Sequence, residues 1–194
     1  MPDTNPAFFV FAPAAANAQQ FVQYWAQFYD YEDAGLYSPN IGQPPTPERL
    51  KALFRWKMGA RFFDTQWPGI EKHFIARLDE ALAFPSDISH EMALGLFPNG
   101  GPVYRIFWMH CLQPNRFPIY DQHVHRAMNK LQGVDHRELI THTARAQIKQ
   151  YTKRYLPFWE THFTGLDLRK VDKALWAFGR FINQKRNAPF LRNR

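Results

Sequence analysis

The chain is short of cysteine, of acid at its C-terminal end and of long apolar stretches, and each shortage excludes something. Cys111 is the single cysteine, so no internal disulfide can form. It lies within the apolar run Ile106-Phe107-Trp108-Met109-His110-Cys111-Leu112 and is expected to be a small core residue, not a nucleophile. No apolar run approaches the roughly 20 residues of a membrane span. The opening residues Met1–Val10 lack the basic start and cleavage site of a secretory signal. The expectation is a soluble, cytoplasmic protein with no membrane partner. Strand-type alternation and internal repeats are missing as well. Lysine is absent between Lys72 and Lys130, and no acid follows Asp172.

What is present fits one globular domain of 194 residues, 45% apolar, with a net charge of +7. The charge is unevenly placed. Residues 1–136 hold 11 basic and 13 acidic side chains, whereas residues 137–194 hold 13 basic and 4 acidic. Lys173, Arg180, Lys185, Arg186, Arg192 and Arg194 follow the last acid. A concentrated positive face suits a polyanion, because each neutralised phosphate releases condensed counterions. The plainer reading of such a run is a solvated, soluble surface.

Apolar spacing predicts an all-α fold. Leu168, Val171, Leu175, Phe178 and Ile182 recur at steps of three and four behind the capping residue Asp167, with Arg169, Lys173 and Arg180 expected as an exposed cationic ridge beside them. Phe21, Trp25 and Phe28 form a second stripe, and Leu50, Leu53 and Phe54 a third behind Thr46 and Pro47. Ile70, Phe74, Leu78 and Leu82 predict a helix behind Pro68, and His136 to Thr161 a helix bent or ended at Pro157. Residues 1–45 read as an N-terminal helix and a proline-rich loop, residues 46–194 as a helical core, together one two-lobed domain.

The stretch that carries chemistry starts with the turn Phe97-Pro98-Asn99-Gly100-Gly101-Pro102-Val103. The helix Tyr104 to Leu112 follows, and then the connector Gln113 to Tyr120. A second helix opens Asp121-Gln122-His123-Val124-His125-Arg126-Ala127-Met128. Val124, Ala127, Met128 and Leu131 make its buried face, and Gly133 ends it. The plain role of Asp121 is an N-cap, worth about 1 kcal/mol. Its place at the edge of the buried face also suits a partly desolvated carboxylate.

These elements resemble the helix-hairpin-helix DNA glycosylase superfamily, whose hairpin reads Leu-Pro-x-Val-Gly-x-Lys and whose catalytic helix opens Val-Asp-x-His-Val-x-Arg. Asp121, His123, Val124 and Arg126 fall in place. The resemblance extends over residues 45–190, with its specific motifs confined to Phe97–Met128. It implies a two-lobed helical fold with a hairpin at residues 97–103 and a catalytic aspartate, Asp121. Where bifunctional members carry a nucleophilic lysine, Val103 stands, 18 residues before Asp121. The implied enzyme is therefore a monofunctional glycosylase that uses water and no cofactor. Asn99-Gly100-Gly101 departs from the family hairpin, and Tyr120 intervenes before the aspartate. The form Tyr-Asp-Gln-His and the short chain are similar to divergent bacterial oxoguanine-glycosylase-fold proteins, some of which act in phage defence. Two substrates follow: an oxidised base in repair, or a bulky modified cytosine in phage DNA.

Physical reasoning stands beside the resemblance. Breaking an N-glycosidic bond develops positive charge on the sugar, which a preorganised carboxylate stabilises. Gly100 and Gly101, with Asn99, are expected to let backbone N–H groups approach a DNA phosphate. Arg180, Lys185 and Arg186 are expected on the DNA backbone. A flipped base needs a pocket, for which Trp56, Trp67 and His125 are the candidates, while His123 is expected to pack internally. Two rivals remain. One is a noncatalytic DNA-binding module. The other is a metal hydrolase, in which only Asp121 and His125 share a helix face, since His123 and His125 point roughly 200° apart. No metal is assigned.

Overall fold

In a computed structural model, the described residues are 17–31, 34–85, 87–135 and 143–184; they are helices joined by turns, with no strand among them. The expected all-α class holds. The helices are α1 (Ala18–Ala26), α2 (Ala34–Tyr37), α3 (Pro47–Met58), α4 (Ala60–His73), α5 (Leu78–Leu82), α6 (His90–Gly95), α7 (Pro102–Leu112), α8 (Gln122–Leu131), α9 (Ala144–Gln150), α10 (Leu156–Phe163) and α11 (Leu168–Ile182).

Local chemistry explains most of the boundaries. Asn17 and Gln20 form a reciprocal capping box before α1, with bonds of 2.9 and 3.1 Å. Thr46 caps α3 ahead of Pro47, and Asp167 Oδ1 accepts from the Lys170 N–H at 2.9 Å to start α11. Gly133 follows α8 at φ 72°, a left-handed conformation that disfavours any side chain.

Two predicted helices are divided differently. The Ile70–Leu82 stripe does not form one helix behind Pro68, because Pro68 lies inside α4 and a 3-10 turn at Ile75–Arg77 separates α4 from α5. Pro68 is tolerated because it and Asp64, whose carbonyl loses its helical donor, both lie on the solvent side. Of the predicted helix His136 to Thr161, residues 136–142 lie outside the described residues. The remainder is α9, a π-helical turn at Tyr151–Tyr155, and α10 with Pro157 in its first turn. The wide turn ends where proline supplies no N–H.

The buried side chains form one continuous cluster, with Trp108, Tyr151, Tyr155, Phe54 and Phe74 among the largest fully buried members. Cys111 is buried there as expected. Fully burying a large apolar side chain is worth about 1.5–3 kcal/mol, so this cluster is what holds the short helices together. α11 packs against both α1 and α8. A Cβ on Gly179 would collide with the carbonyl of His123, so glycine is what lets α11 approach the first turn of α8. That crossing fixes where Asp121 points.

Candidate active site

Asp121 precedes α8 in extended backbone, and its Oδ1 accepts from the N–H groups of His123 at 2.8 Å and Val124 at 3.1 Å. Its other oxygen, Oδ2, accepts from Lys57 Nζ at 3.2 Å, and the two side chains are only 19% and 10% exposed. Burial alone would raise the carboxyl pKa. The Lys57 ammonium, the His123 ring and the Val124 N–H oppose it and carry the carboxyl below its ordinary range. Asp121 is thus a carboxylate held ionised at the edge of the core, by a lysine from the last turn of α3 and by the open end of α8.

Asp121, Lys57 and Trp56 line a cavity of about 40 Å³, closed on the far side by Tyr29, Tyr31 and Trp176. The Trp56 indole N–H is buried with no acceptor among the described residues. Asp172 of α11 also faces this cavity and pairs with Arg169 one turn earlier. Burial dominates Asp172, and the like charge of Asp121 adds to it. Against them Arg169 and Lys57 recover only part of the shift, leaving Asp172 pushed up to about 6. Arg169 is boxed by aromatic rings, 4.1 Å from Tyr37, 4.9 Å from Tyr29 and 5.1 Å from Trp56.

A second cavity, of about 190 Å³, is lined by Ile119 and Asp172, which it shares with the first, and by Tyr37, His110, Trp159 and Arg169 among others. His110 is buried, and burial pushes it down to about 3, so its ring is neutral. Nδ1 faces the Phe117 carbonyl at 2.7 Å and must carry the proton. Nε2 therefore accepts from the Tyr37 hydroxyl at 2.6 Å.

The remaining predicted site residues fall in several places. Asn99 and Gly101 lie exposed on the turn between α6 and α7, and α7 starts without a side-chain cap. Gly100 is small for a packing reason, since a Cβ there would collide with the Phe74 ring. The ridge expected to be free and cationic is largely neutralised. Arg169 pairs with Asp172, Lys173 lies 5.5 Å over the Tyr29 ring, and Arg180 pairs with Asp30. Lys185 and Arg186 lie outside the described residues.

Trp56 lines the smaller cavity beside Asp121, whereas Trp67 stacks on Phe63 with Lys51 above it and lines neither cavity. His125 is 1% exposed and belongs to an internal chain. Arg154 donates to Asn129 Oδ1 at 3.1 Å, Asn129 Nδ2 donates to His125 Nε2 at 3.1 Å, and His125 Nδ1 meets the Tyr120 hydroxyl at 2.7 Å. His123, expected to pack internally, lies nearer the site, 5.3 Å from the Trp176 ring and coupled to the Asp121 charge.

Sequence reasoning missed Lys57, Arg169 and Asp172. For Asp172 a signal existed, because it directly follows Val171 on the stripe side of α11, where a charge is costly without a partner. Lys57 gave none, being 64 residues from its partner. Among the described residues no group of three or more His, Cys, Asp or Glu side chains is placed to hold a metal ion. No helix among them is long and apolar enough to cross a membrane. No family model, curated protein or solved structure matches the chain.

Proposed function

We propose that this chain is a monofunctional DNA N-glycosylase that hydrolyses the bond between deoxyribose and a modified base, with Asp121 as the catalytic carboxylate. One observation carries the reading: Asp121 is ionised, partly desolvated and faces a cavity, instead of capping a helix in open water. As the C1′–N bond lengthens, the base takes the bonding electrons and positive charge grows on the sugar. The Asp121 carboxylate stabilises that charge and orients the attacking water. Water oxygen bonds to C1′ as the C1′–N bond breaks, one water proton passes by way of the Asp121 carboxylate to solvent, and the base anion takes up a proton from solvent as it leaves. The cavity of about 40 Å³ has room for a few waters, at roughly 10–15 Å³ each.

In this reading α6, the turn and α7 act as a helix-hairpin-helix, with the exposed N–H groups at Asn99, Gly101 and the uncapped start of α7 facing a phosphate. The helices before and after it form the two lobes around the extruded nucleotide. Val103 leaves no lysine behind the turn, while Lys57 enters from α3 and is engaged by Asp121. The same ion pair also suits a noncatalytic DNA-binding module, in which Lys57 and Asp121 only join α3 to α8.

The test incubates the protein with oligonucleotides bearing oxidised bases and with phage DNA bearing glucosylated cytosine, then counts abasic sites. Base release from one class, with no borohydride-trapped adduct, is expected. Tight binding to DNA with no base release from either class identifies the binding module instead.

A further inference from the structure

The cavity lined by Asp121 and the larger one that adjoins it at Ile119 and Asp172 differ in what they can hold. An apolar cavity of about 150 Å³ admits a benzene ring, so the cavity of about 190 Å³ admits a six-membered ring with substituents, and the one of about 40 Å³ does not. They touch the same two residues, Ile119 and Asp172. A ring in the larger cavity and water in the smaller one, beside Asp121, is the arrangement these sizes permit.

Several polar groups of the larger cavity are spent. Both nitrogens of His110 are engaged, and so is the Tyr37 hydroxyl. Arg169 donates to Asp172 Oδ2 and to the Tyr29 hydroxyl. The exceptions among the described residues are Asp172 Oδ1, which accepts nothing, Arg169 Nε, which is buried with no acceptor, and the amide of exposed Asn115. A carboxylate oxygen left open on a residue that lines a cavity with Tyr37, Ile41, Trp159 and Leu168 favours an N–H donor on whatever ring enters.

We infer that the larger cavity is the pocket for an extruded amino-substituted nucleobase, whose exocyclic amino group donates to Asp172 Oδ1. This rests on the glycosylase reading and adds to it the pocket and the class of base. Cytosine and adenine present an amino group at the end of the pairing edge. Uracil and thymine present a single N–H between two carbonyl oxygens, which a carboxylate repels. Arg169 Nε, buried beside the carboxylate with no acceptor among the described residues, suits the ring acceptor next to the amino group.

Free-base binding tests the pocket without requiring catalysis. Cytosine, adenine, uracil and thymine are titrated separately into the 15N-labelled protein while the Trp159 indole signal is followed. Cytosine and adenine are expected to shift it and the other two are not. Asp172→Asn should weaken cytosine at least tenfold, and Leu168→Trp, which fills the cavity from the half-buried start of α11, should abolish the shift. Thermal melts confirm that both variants are folded, and either one alone suffices. Equal shifts from thymine and cytosine, no shift from any base, or unchanged cytosine binding in a folded variant overturns the inference. Base release from DNA by Leu168→Trp at the parental rate also overturns the pocket while leaving the glycosylase intact. Cytosine bound in the pocket of a protein that releases no base sustains the pocket and defeats the enzyme.

Discussion

Two carboxylates face the same small cavity, each with a cation at its side, and their proton affinities move in opposite directions. Asp121 sits at the open end of α8, where backbone N–H groups have no helical acceptor, and two of them bind its oxygen in addition to Lys57. Asp172 sits inside α11, where the surrounding N–H groups are already committed, so Arg169 is its one protein donor among the described residues. Burial presses on both. The Lys57 ammonium, the His123 ring and the helix-end N–H offset it for Asp121, while Asp172 is left raised to about 6. The Lys57 cation first, and the helix-end N–H groups after it, make Asp121 fit to meet a developing positive charge, while Asp172, without such N–H groups, is left to read a donor.

The comparison breaks most sharply at Lys57. Lys57→Met keeps the stem but strips Asp121 of its cation, and the loss should be about 3 kcal/mol, the scale for orphaning one member of a buried pair. The acid limb of the activity profile should also move to higher pH. Urea unfolding and a pH–rate profile measure the two effects. Gly179→Ala attacks the crossing that aims Asp121. Its methyl group meets the His123 carbonyl, and forcing α11 off α8 should lower stability by about 3 kcal/mol, or cause rearrangement at the site. Thermal melts and base release should fall together.

A smaller effect separates the buried groups by pH. Native His110, pushed down to about 3, cannot take the proton that the unfolded chain takes below its ordinary 6.5, so acidification to pH 4 should remove about 3 kcal/mol. Asp172 acts in the other sense. With its folded value near 6 against 3.8 unfolded, the native chain gains a proton first and recovers about 2 kcal/mol over the same interval. Asp121, lowered in the fold, adds a loss only below that range. Stability should therefore decline gently from pH 7 to pH 4, and Asp172→Asn should steepen the decline by about 2 kcal/mol in urea titrations. The smallest effect belongs to Arg180, whose pair with Asp30 is substantially exposed. Arg180→Gln should change stability by less than about 1 kcal/mol. Because that charge is already engaged, the salt dependence of DNA binding should change little; a marked flattening would mean that Arg180 leaves Asp30 for phosphate.

Much of this architecture was legible in the sequence where local chemistry decides it. Thr46 and Asp167 caps, the Gly133 stop, the α11 stripe and Asp121 at the start of α8 follow from spacing and capping. The turn between α6 and α7 was visible in Asn99-Gly100-Gly101, where Gly100 also makes room for the Phe74 ring. Tertiary contact decided the rest. His125 was drawn inward by Tyr120 and Asn129, while His123 came to lie near the site. The cationic ridge read from Arg169, Lys173 and Arg180 vanished into partners supplied by Asp172, Tyr29 and Asp30, two of them far away in sequence. The pairing of α3 with α8 that brings Lys57 to Asp121 has no local signature.

Single-turnover base release by Asp121→Asn, on the DNA that the parent cleaves, tests the central claim most directly. The amide keeps the shape and an acceptor at the helix end but loses the charge. The account predicts a fall in the release rate of about 10²–10⁴-fold with DNA affinity within a few-fold of the parent. Equal rates for variant and parent would contradict it, because the charge at Asp121 would then serve only to join two helices.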